Sequence, residues 1–182
     1  MTTQDTKIKY RRLDKEEISL DLFAGFERRQ EVTKCWRKED GRWVVKDIAF
    51  VDQWSQDEYR FLVRCLVGTI CHGGMVCGAF LGDVLKGFVS VEGEKIGSRG
   101  QYMDLTSLHV SLDLRGNGVG TALFQRAAAW ARQQGAEKLY ISGHSAVETQ
   151  AFYRAMGCVE AEEYQKKHTE LEPCDCQLEY RL

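Results

Sequence analysis

The hydrophobic positions of this chain change repeatedly from a spacing of two, typical of strands, to a spacing of three to four, typical of helices. Runs of the first kind predict strands at 7–13, 75–81, 85–91, 101–110, 138–142, 159–164 and 176–182. Stripes of the second kind predict helices at 55–73, 118–134 and 145–157. This order of elements predicts a mixed sheet covered by helices on both faces.

Capping boxes mark where helices begin, because their side chains satisfy the free N–H groups of a first turn. The chain contains three, namely Asp14 with Glu17, Ser55 with Glu58 and Ser145 with Glu148. After Asp14, the apolar residues Ile18, Leu22 and Phe26 predict a short helix. Residues 28–54 lack a regular pattern, but the apolar segments 32–36 and 42–45 flank Glu39-Asp40-Gly41 and predict a hairpin or a structured loop.

Composition bounds the class of protein. With 182 residues, 43% of them hydrophobic and 29% charged, the chain can form one substantial core, so we expect a single domain over 1–182. The formal net charge of −2 shows no basic excess, so we expect no nucleic-acid partner. No apolar run approaches the roughly 20 residues that span a bilayer. The polar residues 1–5 lack the apolar core of a signal peptide. We therefore expect no membrane contact and a cytoplasmic location.

Seven scattered cysteines, an odd number, are typical of a reducing compartment. Cys174-Asp175-Cys176, with Cys158 and His168 nearby in sequence, is the segment that suggests a metal or redox site. A C-x-C pair is not the usual zinc spacing, and no second pair completes it. We therefore expect no metal.

The most informative chemistry follows the predicted strand that ends at Val110. Arg115 and the alternating glycines Gly116, Gly118 and Gly120 open an amphipathic helix. Helix N-termini carry unpaired N–H groups and a partial positive charge, and glycines let a phosphate approach those groups. Arg115 would add a cation and a planar set of donors. The segment therefore predicts a loop that binds a diphosphate.

Two other phosphate loops fit this segment less well. A P-loop requires G-x-x-x-x-G-K-[ST], and no lysine follows here. A dinucleotide fingerprint requires G-x-G-x-x-G in an early strand-loop-helix unit. Here Thr121 occupies the position of the third glycine, two-thirds of the way along the chain.

Arg115, Gly118 and Gly120 match R/Q-x-x-G-x-G/A, and the chain resembles the GNAT superfamily of N-acetyltransferases, in which this signature holds the pyrophosphate of acetyl-coenzyme A. The segment from Phe152 to Cys158 resembles the F-Y-x-x-x-G-F of the same superfamily. The chain departs from the pattern twice: Cys158 replaces an aromatic residue, and Ala146 stands where many members have asparagine.

The resemblance implies a single α/β (α+β) domain with a mostly antiparallel sheet, whose central strand pair splays apart at a bulge to receive the pantetheine arm. It implies a coenzyme-binding core at about 75–158 and acceptor-side elements at about 14–74 and 159–182. The N–H of Val110 would point at the thioester oxygen. The residues implied for binding acetyl-CoA, the cosubstrate, are Leu108, His109, Val110, Arg115, Gly116, Asn117, Gly118, Val119, Gly120, Thr121, Ser145 and Tyr153.

The same resemblance implies the catalytic groups. Tyr153 lies where the family often has its general acid, and a phenol stays protonated at neutral pH; alternatively it anchors its helix by packing. Asp104 lies where some members have a glutamate base; alternatively it is a polar strand residue. Glu92 is a second candidate for the base. His109 and His144 are further candidates, although a lone histidine is more often a packed residue.

The function implied is the direct transfer of an acetyl group from acetyl-CoA to a primary amine of a small molecule or peptide, with a homodimer as the family habit. Aromatic side chains of the N-terminal third could hold a cationic amine or could simply pack; they are Phe23, Phe26, Trp36, Trp43, Phe50 and Trp54. Two alternatives come from other classes of protein. One is a non-catalytic module that binds acetyl-CoA as a sensor. The other is a scaffold whose glycines only make a tight turn.

Overall fold

A computed structural model describes residues 7–182; residues 1–5, on which the expectation of no signal peptide rests, lie outside the described residues. The strands are β1 (Ile8–Arg12), β2 (Arg29–Glu39), β3 (Arg42–Gln53), β4 (Met75–Leu81), β5 (Val84–Ile96), β6 (Tyr102–Val110), β7 (Lys138–Gly143), β8 (Val159–Glu160) and β9 (Cys176–Arg181). The helices are α1 (Gln56–Cys71), α2 (Val119–Gln133), α3 (Val147–Met156) and α4 (Lys166–Leu171).

One sheet contains seven of these strands, in the order β1-β4-β5-β6-β7-β9-β8. The central neighbours β6 and β7 run parallel and are connected through α2, whereas all other neighbours in this sheet are antiparallel. The predicted fold class, an α+β domain with a mixed and mostly antiparallel sheet, is confirmed.

Each face of the sheet buries the apolar stripe of one long helix. On one face, α2 buries Leu123 and Phe124. On the other face, α1 buries Leu62 and Leu66 in a core that includes Phe88 of β5. The predicted covering of both faces is therefore confirmed. Among the helices of residues 7–182, none combines the length and the apolarity needed to cross a bilayer.

The two central strands separate soon after they pair. Residues 102–104 of β6 pair with 138–140 of β7, and no later residues of the two strands do. On the other side of β6, Ser90 pairs with Ser107 while Val91 pairs with Leu105, so that Thr106 is an extra residue. Such an insertion is a β-bulge and bends the strand. A cleft therefore opens between β6 and β7, as the resemblance implies.

Strands β2 and β3 form a long hairpin beside this cleft. Its two-residue turn, Asp40-Gly41, has φ of 48° and 76°, the left-handed conformation of a type I′ turn. Beyond the sheet, the Trp36 amide donates to the Ser145 carbonyl at 2.8 Å. The hairpin prediction is confirmed, and the contact places β2 against the chain that leaves β7.

The predicted helix after Asp14 is wrong, because the chain forms two 3-10 turns there, Lys15–Glu17 and Asp21–Phe23. The capping box of Asp14 and Glu17 is present. Ile18, however, is extended (φ −84°, ψ 104°) and is buried in the core beneath α1. Short helices gain little cooperativity, so the burial of Ile18 decides the local conformation.

Two predictions near the C-terminus are also wrong. The strand expected at 159–164 contains only Val159 and Glu160, and α4 lies between β8 and β9. Because α4 is short and polar, with no apolar stripe, the hydrophobic pattern does not reveal it. The predicted capping box of Ser145 is absent: Ala146 is the N-cap of α3, and the Ser145 hydroxyl accepts a hydrogen bond from Arg37 at 2.6 Å.

Candidate active site

The cleft between β6 and β7 widens into a cavity of about 880 Å³. Its walls are residues 105–110 of β6, the loop that leads into α2, the end of β7, the first turns of α3 and residues 28–31 at the base of the hairpin. A volume of this size suits an extended small-molecule ligand. The cavity therefore brings the predicted coenzyme segment together with residues 28–31, which belong to the segment expected on the acceptor side.

Most of the residues expected to bind the coenzyme lie together in this wall. Those lining the cavity are Leu108, His109, Val110, Arg115, Gly116, Gly118, Val119, Gly120, Thr121 and Tyr153. Two others do not line it. The Asn117 side chain donates to the carbonyls of Leu114 and Arg115, which closes the loop on itself. The Ser145 hydroxyl is held by Arg37.

The start of α2 offers backbone donors to a ligand. Gly118 is the N-cap with φ of 77° and no side-chain cap, and the first helical bond runs from Ala122 N to Gly118 O at 3.0 Å. The N–H groups of Val119, Gly120 and Thr121 donate to no described residue. A Cβ built on Gly118 would meet nothing within 4 Å, and Val119, Gly120 and Thr121 all line the cavity. Such a helix start fits a diphosphate.

Arg115 adds positive charge to the same end of the cavity. Its Nε donates to the Val110 carbonyl at 3.1 Å. Burial lowers the pKa of Arg115, and the neighbouring Arg28 lowers it further. Asp52 and Glu27 act on the pKa of Arg115 in the opposite direction. An anionic ligand beside the two guanidinium groups would add to this compensation.

The edge of β6 offers further backbone groups. The Ser111 amide donates to Lys86 O of the β5 side at 2.8 Å. Because peptide groups alternate in direction along a strand, those of Val110 and Leu108 point away from β5 and into the cleft. An extended ligand could therefore pair with this edge as an added strand, which suits the two amides of a pantetheine arm.

Tyr153 lies in the wall contributed by α3. Its ring packs close to Gly143, where an added Cβ would meet ring atoms at 3.3 Å. The Tyr153 hydroxyl bonds to no described residue, but its oxygen is not fully buried. Because Tyr153 lines the cavity, this hydroxyl faces it. Burial raises the pKa of Tyr153, with smaller contributions from Cys158 and Asp175. The phenol is therefore protonated at neutral pH and available as a proton donor.

The two histidines of the cavity wall are neutral. Burial, helped by Arg28 and Arg115, lowers the pKa of His109 to about 3, and its ring packs 4.7 Å from Trp54. Burial also lowers the pKa of His144, whose Nδ1 accepts from the Ala146 amide at 3.1 Å. This geometry supports packing and loop-closing roles for both.

The two candidate bases have different partners. The Asp104 side chain is 6% exposed and does not line the cavity. Its Oδ2 accepts a hydrogen bond from His168 Nε2 at 2.6 Å. Glu92 Oε1 accepts from Thr69 at 2.7 Å and from Thr106 at 3.1 Å. Thr106, the bulge residue, does line the cavity. Sequence reasoning missed His168 and Thr106 as partners; a pairing 64 positions apart leaves no local signal.

Arg28 is a further residue of the wall that the sequence does not single out. It is 7% exposed, donates through Nη2 to Asp52 at 2.5 Å and lies over the Trp54 ring. Arg28 Nε and Nη1 are enclosed without a partner among the described residues. The Arg28–Asp52 pair closes the base of the hairpin beside the cavity.

The described residues do not form a metal site or a cysteine cluster around the segment Cys174-Asp175-Cys176. Within residues 7–182, no group of three or more His, Cys, Asp or Glu side chains could hold a metal ion. Cys158, Cys174 and Cys176 are free thiols. Burial raises the pKa of both Cys158 and Cys176 to about 12, which makes them poor nucleophiles.

The splayed sheet and the cleft agree with the acetyltransferase resemblance of the sequence. The sequence model of the Acetyltransferase (GNAT) family matches residues 16–158, and the chain belongs to this family. No match was found among curated proteins.

Solved structures of similar fold agree with this class. A protein assigned as a streptothricin acetyltransferase from Bacillus anthracis, solved in complex with acetyl coenzyme A, has a TM-score of 0.70 and 17% identity, covering 98% of each chain. Nourseothricin acetyltransferase has a TM-score of 0.64 and 16% identity, covering 94% of this chain and 95% of its own. The PaiA N-acetyltransferase from Thermoplasma acidophilum, in complex with coenzyme A, has a TM-score of 0.60 and 14% identity, covering 97% and 99%. At these identities the likeness shows the fold.

Proposed function

We propose that this protein transfers an acetyl group from acetyl-CoA directly to a primary amine of a small molecule or peptide. The observation that carries the proposal is the cleft between β6 and β7, with open helix N–H donors at one end and the Tyr153 hydroxyl in its wall. These groups suit a diphosphate and a departing thiolate respectively.

Three parts of the chain would hold the donor. The N–H groups of Val119, Gly120 and Thr121 would bind the diphosphate, with Arg115 as the cation. The peptide groups of Leu108 and Val110 would pair with the pantetheine amides. Bound in this way, acetyl-CoA supplies an activated acyl carbon, which the strand edge aims along the cleft.

In the proposed reaction, the amine nitrogen bonds to the acyl carbon, the carbon–sulfur bond breaks, and the thiolate of coenzyme A takes a proton. The Val110 N–H would face the negative charge that develops on the thioester oxygen; a preorganised donor of this kind contributes roughly 2.7–4 kcal/mol. Tyr153 Oη would give the proton to the thiolate. No cysteine of residues 7–182 lines the cavity, which supports direct transfer rather than an acyl-cysteine step.

The acceptor would enter from the side of the hairpin base. Residues 28–31 and His144 line this side, and Glu31 contributes a carboxylate to it. Among the solved structures of similar fold, two are named for streptothricin and nourseothricin, which supports a small-molecule acceptor. The candidates for the proton acceptor of the amine are Asp104, Glu92 and a chain of water molecules. A homodimer and a cytoplasmic location stay predictions.

The test is a thiol-release screen with acetyl-CoA and chemically distinct amines, followed by mass detection of a product heavier by one acetyl group, roughly 42 Da. We expect release of coenzyme A with at least one amine, together with the acetylated product. Binding of acetyl-CoA, seen as a raised melting temperature, without release by any amine would support the non-catalytic sensor instead. No binding of any CoA species would support the scaffold.

A further inference from the structure

Beyond the bulge, a hydroxyl connects the cavity to a carboxylate on the α1 face of the sheet. We propose that Glu92, reached through the Thr106 hydroxyl, takes the proton that the acceptor's ammonium group loses before transfer. This inference rests on the proposed function and names the proton acceptor of that site.

The geometry supports a short path. Thr106 lines the cavity, and its Oγ1 donates to Glu92 Oε1 at 3.1 Å. Thr69 of α1 donates to the same carboxylate oxygen at 2.7 Å, which fixes the orientation of the Glu92 side chain. Ser90 Oγ lies 2.9 Å from Thr106 Oγ1 and restrains that hydroxyl. Thr106 therefore links the cavity to the carboxylate of Glu92.

The bulge is what creates this path. In regular pairing, Thr106 would have a partner residue on β5, but the register skips it between Ser107 and Leu105. Bulges re-aim the side chain of the extra residue. Thr106 thus contacts both the cavity and the carboxylate, whereas Asp104, before the bulge, does not line the cavity.

Asp104 is less suited to accept this proton because it is already bound to His168. Its Oδ2 is bound to His168 at 2.6 Å, and its Oδ1 is enclosed and unpaired. Using Asp104 would require the pair to open or a water molecule to enter the enclosed space. Glu92 Oε2, by contrast, bonds to no described residue and is not enclosed, so the carboxylate can accept a proton without breaking its positioning bonds.

The proposed step balances within the site. An N–H proton of the ammonium passes to Thr106 Oγ1 while the Thr106 hydroxyl proton passes to the Glu92 carboxylate. The nitrogen keeps the electron pair of the broken N–H bond, and Thr106 is restored. Two titratable groups lie around Glu92. Burial and Glu92 raise the pKa of the Cys65 thiol of α1, whereas Lys167 of α4 lowers the pKa of that thiol. Asp104 and His168 form the neighbouring pair.

The experiment compares isosteric variants in the steady state, with the best amine from the screen, across the pH range. Glu92→Gln and Thr106→Val should each lower kcat/KM for the amine by about 100-fold at neutral pH, in the range of general acid-base catalysis. Each should also shift the low-pH decline in rate upward, to the pH at which the amine itself loses its proton. The double variant should be no worse than either single variant, because both act in one step. Thr69→Val should lower kcat/KM less and keep the low-pH decline. Glu94→Gln, on the same strand but exposed, and Thr169→Val, in α4, are matched controls.

The stabilisation of each variant by acetyl-CoA shows that it is folded and binds the donor. Asp104→Asn should keep the low-pH decline. If Glu92→Gln keeps the wild-type rate and pH profile, or if Asp104→Asn shifts the low-pH decline upward while Glu92→Gln does not, Glu92 is not the proton acceptor, although the proposed function stands. A wild-type protein that acetylates no amine overturns the proposed function itself, which is a different result.

Discussion

The two sides of the cavity are built in different ways. The donor side is one continuous segment, in which β6, a glycine loop and α2 follow one another within 102–133. The side proposed for the acceptor is assembled from the base of the hairpin, the end of β7 and the first turns of α3. Gln30 and Thr149, for example, are 119 positions apart, and Gln30 Nε2 donates to Thr149 Oγ1 at 3.5 Å. The first side can be recognised from a local motif, whereas the second exists only in the folded chain.

The chemistry of the two sides differs as well. The donor side presents backbone N–H groups, which do not depend on side-chain identity beyond the need for glycine. The other side is lined by residues with polar side chains, such as Glu31, His144 and Glu148. Substitutions on the donor side should therefore affect the use of acetyl-CoA, and those on the acceptor side should affect the amine.

The largest effect is expected at the donor side. Gly118→Asp places a carboxylate in front of three N–H donors and should lower kcat/KM for acetyl-CoA by about 1,000-fold or more, since each hydrogen bond to a charged group contributes about 1.5–3 kcal/mol. Stabilisation by acetyl-CoA, measured as a shift in melting temperature, should disappear. Gly41→Asp is the matched control, because both glycines have nearly the same φ, 76° and 77°, and open space at Cβ. A normal shift in the Gly118 variant would contradict the diphosphate site.

Tyr153→Phe should separate turnover from binding. Without the hydroxyl, the thiolate loses its proton donor, and kcat should fall by about 100-fold. The KM for acetyl-CoA should stay within about twofold, because the ring still packs. Tyr102→Phe is the control, since that hydroxyl donates to Glu179 outside the cavity wall. Equal losses in kcat and in donor affinity would show that Tyr153 only supports the structure.

Arg37→Met should affect the acceptor side alone. It removes the bond from Arg37 to the Ser145 hydroxyl at 2.6 Å, which links the hairpin to the chain after β7. It also removes the bond to the Trp36 carbonyl at 2.8 Å, which lies within the hairpin. We expect the KM for the amine to rise by about tenfold, the equivalent of one such bond, with little change for acetyl-CoA. Arg42→Met, near the exposed hairpin turn, should change neither constant. A rise in the KM for acetyl-CoA would show that the two sides are not separable.

The smallest effect concerns stability and pH. The hydrogen bond to Asp104 raises the pKa of His168. A raised pKa in the folded state stabilises the fold fully below the unfolded value of about 6.5 and ceases to do so as pH rises through the folded value. The difference in free energy of unfolding between wild type and His168→Gln should therefore shrink as pH rises from about 6 upward. Urea unfolding over a pH series measures it, and a constant difference would argue against a charged pair.

The sequence predicts the fold where its signals are local. Met75–Leu81 matches its apolar run, and the stripe of α2 matches Leu123 and Phe124 in the core. Pattern reasoning fails where a distant contact decides the conformation. Ile18 leaves a helical turn to enter the core, and Ser145 gives its hydroxyl to Arg37 instead of capping α3. The same contrast applies to the site. The glycine loop can be recognised from the sequence, whereas His168, the partner of Asp104, lies on a polar helix that has no periodic signal.

The seven-stranded sheet is continuous across its middle only where 102–104 meet 138–140. This short seam joins two blocks of the sheet, β1-β4-β5-β6 and β7-β9-β8. Beyond the seam, the edges of β6 and β7 that face each other pair with no described strand. A donor that pairs with those edges completes the ladder, so acetyl-CoA would serve for part of each catalytic cycle as a temporary strand of the enzyme. Release of the product then returns the sheet to two blocks joined at the seam.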